Sequence, residues 1–297
     1  YNPSHITVGT GDVSFGLQFK GRTIGSADID DLVIQPGLNT IPTDVHYSPQ
    51  GSQNTAAGQQ LLENYVMGVV STANIQGSSS TTDIASLKKA LAGISLTTQI
   101  PPLHQLLITE ARLTIPRNIA KTATAEATFQ LDNPFTASIN LIKVNARAIY
   151  DGIYIGKIDQ DLSKNPVHAS GHSKIVSRSL PFSMVLDPKV LIRFIETAAR
   201  NTGTDLGPLP PLFNQVLQMQ STKTSVEPTP DPNPPSWHSG KQFDVFGAIL
   251  NTMKGLAVEL DIQSTVKLDD YQTNLNFVQK PVPTDTDRSV LYLIGPV

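Results

Sequence analysis

Residues 129–161, FQLDNPFTASINLIKVNARAIYDGIYIGKIDQD, decide how the rest of the chain is read. Three strands and two turns are written there. Phe129-Gln130-Leu131 closes an alternating run. Asp132-Asn133-Pro134 is a turn, because Asn and Asp bond their own backbone and proline fixes φ and has no N–H for a ladder. Ile139–Val144 and Ala146–Tyr150 continue as extended chain, Asp151-Gly152 is a hairpin signal, Ile153-Tyr154-Ile155 returns, and Gly156 ends it. The stretch holds no nucleophile, metal cage or phosphate loop, so it specifies an architecture rather than an activity.

Composition agrees with that reading. A chain of 297 residues has room for about two domains. Hydrophobic residues make up 39% and charged residues 16%, enough for a core under a weakly charged surface. The net charge of −3 provides no basic field for nucleic acid or an anionic membrane. With no cysteine, disulfides, thiolate metal sites and cysteine catalysis are excluded. The 22 prolines and 20 glycines suit a β protein with many turns. No apolar run approaches the roughly 20 residues that a membrane span needs. The opening Tyr1-Asn2-Pro3-Ser4 reads as that of a processed or excised fragment.

The chain repeats itself. Gly21, Ile24, Gly25, Asp28 and Asp30 recur 131 residues on as Gly152, Ile155, Gly156, Asp159 and Asp161. A helical stripe of Leu61, Leu62, Tyr65, Val66 and Val69 recurs 129 residues on as Val190, Leu191, Phe194, Ile195 and Ala198. The second copy of that helix has Asp187 as N-cap, Pro188 at its first position and Gly203 as its stop. A second helix is expected after each. One opens at Thr82-Asp83 with a stripe of Ile84, Leu87, Leu91 and Ile94, and the other spans about 211–219. The pattern of 106–134 returns at 256–283.

These repeats predict a mainly β fold with helical additions, in tandem antiparallel β-sandwich units that are each followed by two short helices. Residues 1–95 read as the C-terminal half of a unit plus helices, and 96–225 as a complete unit plus helices. Residues 226–237 read as a stiff Pro-rich linker, and 238–297 as the N-terminal half of a further unit. A half sandwich leaves edges unpaired, so 238–297 is expected to complete 1–95, in cis or in trans.

The complete unit resembles the late embryogenesis abundant type 2 (WHy) domain. Phe129, Leu131, Asn133-Pro134-Phe135, Ile139–Val144, Tyr150-Asp151-Gly152 and Ile155-Gly156 carry the resemblance. The helices and the ending Asp285-x-Asp287-x-Ser289-Val290-Leu291-Tyr292-Leu293 resemble the family's fungal branch of vacuolar or extracellular proteins, with tandem copies behind one membrane anchor. The resemblance implies fibronectin-like sandwiches, a binding or structural role in the vacuolar lumen or outside the cell, and no catalytic residues. The anchor is missing from this sequence.

Each residue pattern that could carry chemistry has a plainer reading beside it. His168-x3-His172 has metal-like spacing, but it sits in a strand or loop without a third ligand. Asp28-x-Asp30, Asp159-x-Asp161 and Asp285-Thr286-Asp287 could hold calcium, or could present a solvated strand face. Ser170-Gly171-His172 is not a nucleophile elbow. Trp237 could stack on a ligand or dock the linker. The helix stripes around Leu61 and Val190 could line a lipid cavity or pack on the sheet.

No catalytic, cofactor or metal residue is assigned, and no cofactor is expected. The expected function is non-enzymatic: a structural or interaction protein that self-associates head to tail through strand exchange between its half-units. The alternative is a binder of lipid or another apolar ligand. Neither reading involves nucleic acid or a membrane span in this chain.

Overall fold

The computed structural model describes residues 1–213, 215, 245–253, 255–286, 289 and 293. The linker and Trp237 lie outside the described residues, as do Asp287 and the end of the helix expected near 211–219. The fold is mainly β, in two sheets with helices between and over them.

The first sheet is antiparallel and open. It contains β1 (Val8–Phe19), β2 (Arg22–Ile34), β3 (Asp44–Tyr47), β4 (Ser71–Gln76) and β5 (Ser95–Ile100), in the order β3-β2-β1-β4-β5. Helix α1 (Ser52–Val66) precedes β4, and α2 (Lys88–Ala92) precedes β5. Helix α2 is shorter than its stripe predicts. The Thr82 hydroxyl accepts from Ile84 N, and the chain from Ile84 turns before the helix begins at Lys88.

The second sheet holds β6 (Ile108–Thr114), β7 (Thr124–Asp132), β8 (Ile139–Tyr150), β9 (Ile153–Asp161), β10 (Val167–Ala169), β11 (Lys174–Val176), β12 (Leu180–Met184), β13 (Ala257–Leu268) and β14 (Tyr271–Thr286). Short α3 (Ile119–Thr122) joins β6 to β7. Helices α4 (Pro188–Thr202) and α5 (Val245–Met253) lie between β12 and β13. Asp187 caps α4 by accepting from Lys189 N at 2.9 Å, and Gly203 ends it in the left-handed conformation, as its sequence predicts.

Pairing runs β8-β13-β14-β6-β7-β12-β9 and returns to β8, a closed seven-stranded barrel. Closure gives each of the seven wall strands a neighbour on both sides. The expectation of two facing sandwich sheets is corrected here, because the wall is a single ring. Strands β10 and β11 lengthen it beside β8 and β7.

The C-terminal stretch also differs from its reading. β13 pairs with β8 from Glu259↔Ile149 to Leu268↔Ile139, and with β14 on its other side. β14 pairs with β6 in parallel, at Thr284↔Ala111 to Thr286↔Leu113. So residues 257–286 complete the barrel of the middle unit and do not complete 1–95. β13 has a ladder on both sides within the chain, and β14 has β13 along its length and β6 at 284–286. The middle unit is not complete by itself, since it lacks these two strands.

The repeat is visible at the level of register. β1 and β2 pair as Phe15↔Ala27, Leu17↔Gly25 and Phe19↔Arg22, and β8 and β9 as Ala146↔Ile158, Ala148↔Gly156 and Tyr150↔Ile153. Each pair lies 131 residues from its counterpart. Both hairpins carry a bulge at the same step, after Leu17 and after Ala148. Their turns match too, with positive φ at Lys20-Gly21 and Asp151-Gly152. The ends of α1 and α4 correspond at a shift of 136 rather than 129. The difference of seven is about two helical turns, so a face-by-face comparison cannot distinguish the two alignments.

Helix α1 joins the two sheets. Ala57 and Leu61 pack into the open sheet, whereas Leu62 and Val66 pack into the barrel core. The Tyr47 ring stands edge-on to Tyr271 at 5.2 Å, and Tyr65 packs on Phe135 at 5.6 Å. Burial pushes the Tyr47 phenol far above its usual range, so it stays neutral in this seam.

Between β14 and β6 the ladder is short, and a side chain extends it. Gln279, only 5% exposed, accepts from Leu107 N at 3.0 Å and Ile108 N at 3.1 Å and donates to the Ile108 carbonyl. Gln279→Ala leaves these buried backbone groups unpartnered. It should cost about 2 kcal/mol in urea unfolding. A cost within experimental error would mean that water replaces the amide there.

Candidate functional site

The barrel wall follows the strand alternation, with apolar side chains turned inward. On most strands the inward residues are large, such as Phe129, Phe182, Ile262 and Phe277. At four inward positions they are alanines: Ala111, Ala127, Ala146 and Ala148. An alanine facing the axis leaves space that a branched residue would fill. The result is an apolar cavity of about 160 Å³.

Helices close its ends. Leu62 and Val66 of α1 line one part, and Val190, Leu191 and Phe194 of α4 with Met253 of α5 line another. The few polar residues of the lining include Arg112, Thr128, Ser264, Thr284 and Thr286. Arg112 and Thr284–Thr286 belong to the β14–β6 seam, where Arg112 pairs with Asp285 at 3.1 Å on the exposed side. Among the described residues, no Asp, Glu, His or Lys lines the lumen, and the walls are otherwise apolar, so it suits apolar matter.

The helix stripes named in the sequence therefore divide. Leu62, Val66, Val190, Leu191 and Phe194 reach the cavity, while Leu61 serves the open sheet. Sequence reasoning missed the alanines. Their signal was available in Ala146-Arg147-Ala148, where a poor strand former sits twice on one face of a long strand.

A second, polar depression of about 490 Å³ lies at the turn after β7, among Tyr65, His104, Asp132, Asn133 and His172. Asn133 is a structural residue there. Its side-chain amide donates to the Ala137, Ala169 and Ser170 carbonyls at 2.8, 3.2 and 2.9 Å, and its oxygen accepts from Phe135 N at 3.0 Å.

The remaining candidates are not brought together. His168 Nδ1 lies 2.9 Å from Asn140 Oδ1, and His172 sits apart in a turn beside the polar depression. Ser170 Oγ lies 3.3 Å from His168 Nε2, with no strand-to-helix elbow around it. Asp28 accepts from the Ser14 and Ser26 hydroxyls, and Asp30 is exposed. Asp159 pairs with Lys157 at 3.0 Å. The Asp161 carboxyl accepts from Ser163, which holds it below the usual carboxylate range. Asp285 pairs with Arg112. Among the described residues, no group of three or more His, Asp or Glu side chains is placed to hold a metal ion. No described helix is long and apolar enough to cross a membrane.

No family model matches the chain, and no curated protein does. Among solved structures, the chain is similar to a crystal structure of a protein from Archaeoglobus fulgidus. That alignment covers 52% of this chain and 79% of the other, at 10% identity and a TM-score of 0.22.

Proposed function

We propose that the barrel is a non-enzymatic binding module for a small apolar ligand or the end of an acyl chain. The observation that carries this reading is the apolar cavity of about 160 Å³, walled by the inward faces of seven strands and lined also by residues of α1, α4 and α5. An apolar cavity of about 150 Å³ in another protein stays dry and takes up benzene. A void of this size therefore suits a compact apolar molecule or part of a chain, not a whole lipid. The WHy resemblance through Asn133-Pro134 and Gly156, and with it a place in the vacuolar lumen or outside the cell, belongs to the same proposal.

Benzene and short fatty acids, added during thermal unfolding, test it. One hundred times the dissociation constant of a ligand specific to the folded state adds about 2.7 kcal/mol, which raises the melting temperature by several degrees. Ala148→Leu fills the void from its wall, so it should abolish the shift while leaving the protein at least as stable. Should the unmodified protein show no shift, carry no apolar mass in native mass spectrometry, and lose more than about 1 kcal/mol on Ala148→Leu through overpacking, the lumen is a filled core and not a site.

The structural or interaction reading has its own observation. The open sheet ends in β3 on one side and β5 on the other, and neither has an outer partner among the described residues. Self-association can act through these edges, whereas β13 is already engaged on both sides.

A further inference from the structure

The open sheet has the strand order of the barrel with two strands left out. Going outward from the matched hairpins, β4 stands beside β1 where β13 stands beside β8, and β5 stands beside β4 where β14 stands beside β13. On the other side, β3 pairs with β2 through Gly25↔Tyr47 and Ala27↔Val45. The barrel pairs β9 with β12 through Gly156↔Met184 and Ile158↔Phe182. So β3-β2-β1-β4-β5 corresponds to β12-β9-β8-β13-β14, and β6 and β7, which close the barrel, have no counterpart.

The side chains at the two free edges record the gap. Val45 is 60% exposed, while Phe182 at the equivalent place is 6% exposed, its strand being covered by β7. Leu96, opposite Ile75, is 55% exposed. Its counterpart opposite Leu260 is Gln279, which is 5% exposed and clasps β6. Of the fifteen exposed large apolar side chains among the described residues, twelve lie within residues 1–96. The concave face is already covered, by α1 over Leu17 and Phe19 and by Leu87, Leu91 and Ile94 over Val13 and Phe15. What is absent is edge pairing. β5 has no charged residue to blunt its edge.

The segment that enters β1 shows how the gap is reached. In the barrel, β7 passes into β8 through Asn133-Pro134, where Asn133 donates to the carbonyl four residues on and accepts from the N–H two residues on. At the same shift of 131, Asn2-Pro3 repeats both bonds. The Asn2 amide donates to the Ile6 carbonyl at 3.0 Å, and its oxygen accepts from Ser4 N at 3.0 Å.

We propose that the gap between β3 and β5 is the seat of a two-stranded antiparallel hairpin of the β6–β7 kind, joined to the chain ahead of Tyr1 through the Asn2-Pro3 turn. Its first strand runs parallel to β5 and its second antiparallel to β3, which closes a second seven-stranded barrel.

A copy of residues 106–131 joined directly ahead of Tyr1 of the full chain, so that Leu131 precedes Tyr1 as it precedes Asp132, tests this, alongside the same peptide added in excess to the unextended protein. Amide hydrogen exchange is read at Val45–Tyr47 and Leu96–Thr98, with mass measured in solution. At least tenfold slower exchange at both edges of the extended, monomeric protein is the expected result. Because the joined form is entropically favoured, the separate peptide should give a weaker version of the same pattern. Val45→Lys in the extended protein should remove the protection, yet be tolerated in the unextended one. Unchanged exchange at β3 and β5 in both formats overturns the proposal. So does equal protection in the unextended protein accompanied by a doubled mass, which would assign the gap to a second copy.

Discussion

A chain ended at Gly255 loses its barrel and keeps the hairpin β1–β2. The truncation removes β13 and β14, which stand between β8 and β6 and supply Val258, Ile262, Val266, Leu275, Phe277 and Val282 to the main core cluster. At roughly 1.5–3 kcal/mol for each large apolar side chain, these six account for about 9–18 kcal/mol of burial. That is comparable to the whole stability of an ordinary domain, about 5–15 kcal/mol. The loss also opens β8 and β6 as edges lined with apolar residues. The expected record is fast amide exchange across β6 to β9, binding of a hydrophobic dye, and self-association. Protection at Leu17 and Gly25 should persist, because their pairing and the Ala57–Leu61 face of α1 lie within residues 1–100. The opposite outcome, a protected barrel and an exposed amino-terminal sheet, would mean that 257–286 serves residues 1–95 after all.

How much of this could be seen in the sequence depends on the distance over which each feature is decided. Local features were legible: the Asp151-Gly152 turn, the Asp187 cap with its Gly203 stop, the alternation of β7, and the shift of 131 that register now confirms. Alternation tells which face of a strand is buried, not which strand lies beside it. Alternation alone therefore makes the likeness of 256–283 to 106–134 read as a repeated half-unit. In the barrel these segments are not equivalents but neighbours, joined by the parallel contact of β14 with β6. No periodicity in the chain announces a parallel seam between residues some 170 positions apart, nor the Gln279 side chain that extends it. The candidate site was half legible for the same reason. The helix stripes named some of its lining, but the void comes from where four alanines meet across a closed ring, and that depends on closure.

Two glycines at equivalent places should respond unequally to the same substitution, with Gly156→Ala the costlier. A Cβ at Gly156 would meet the Ser183 carbonyl oxygen at 2.4 Å and the Phe182 ring at 2.5 Å. At Gly25 it would meet the His46 carbonyl oxygen at 2.0 Å, the closer approach of the two. Overlap alone would rank Gly25→Ala as worse. The freedom of the neighbouring strand reverses the order. β12 is held between β9 and β7, and Phe182 is packed in the core, so neither can withdraw without disturbing the ring. β3 is four residues long with no outer partner among the described residues, so it can move away at the loss of a few edge bonds and some of the Tyr47–Tyr271 contact. Rigid overpacking costs about 1–3 kcal/mol and sometimes more, so Gly156→Ala should lose roughly 3–4 kcal/mol in urea unfolding and Gly25→Ala about 1 kcal/mol. Exchange at Val45–Tyr47 should rise with Gly25→Ala alone. Equal costs, or a larger one at Gly25, would show that β3 is as firmly held as β12. In a protein whose gap is closed by a joined hairpin the two costs should converge, because β3 would then have a strand on each side.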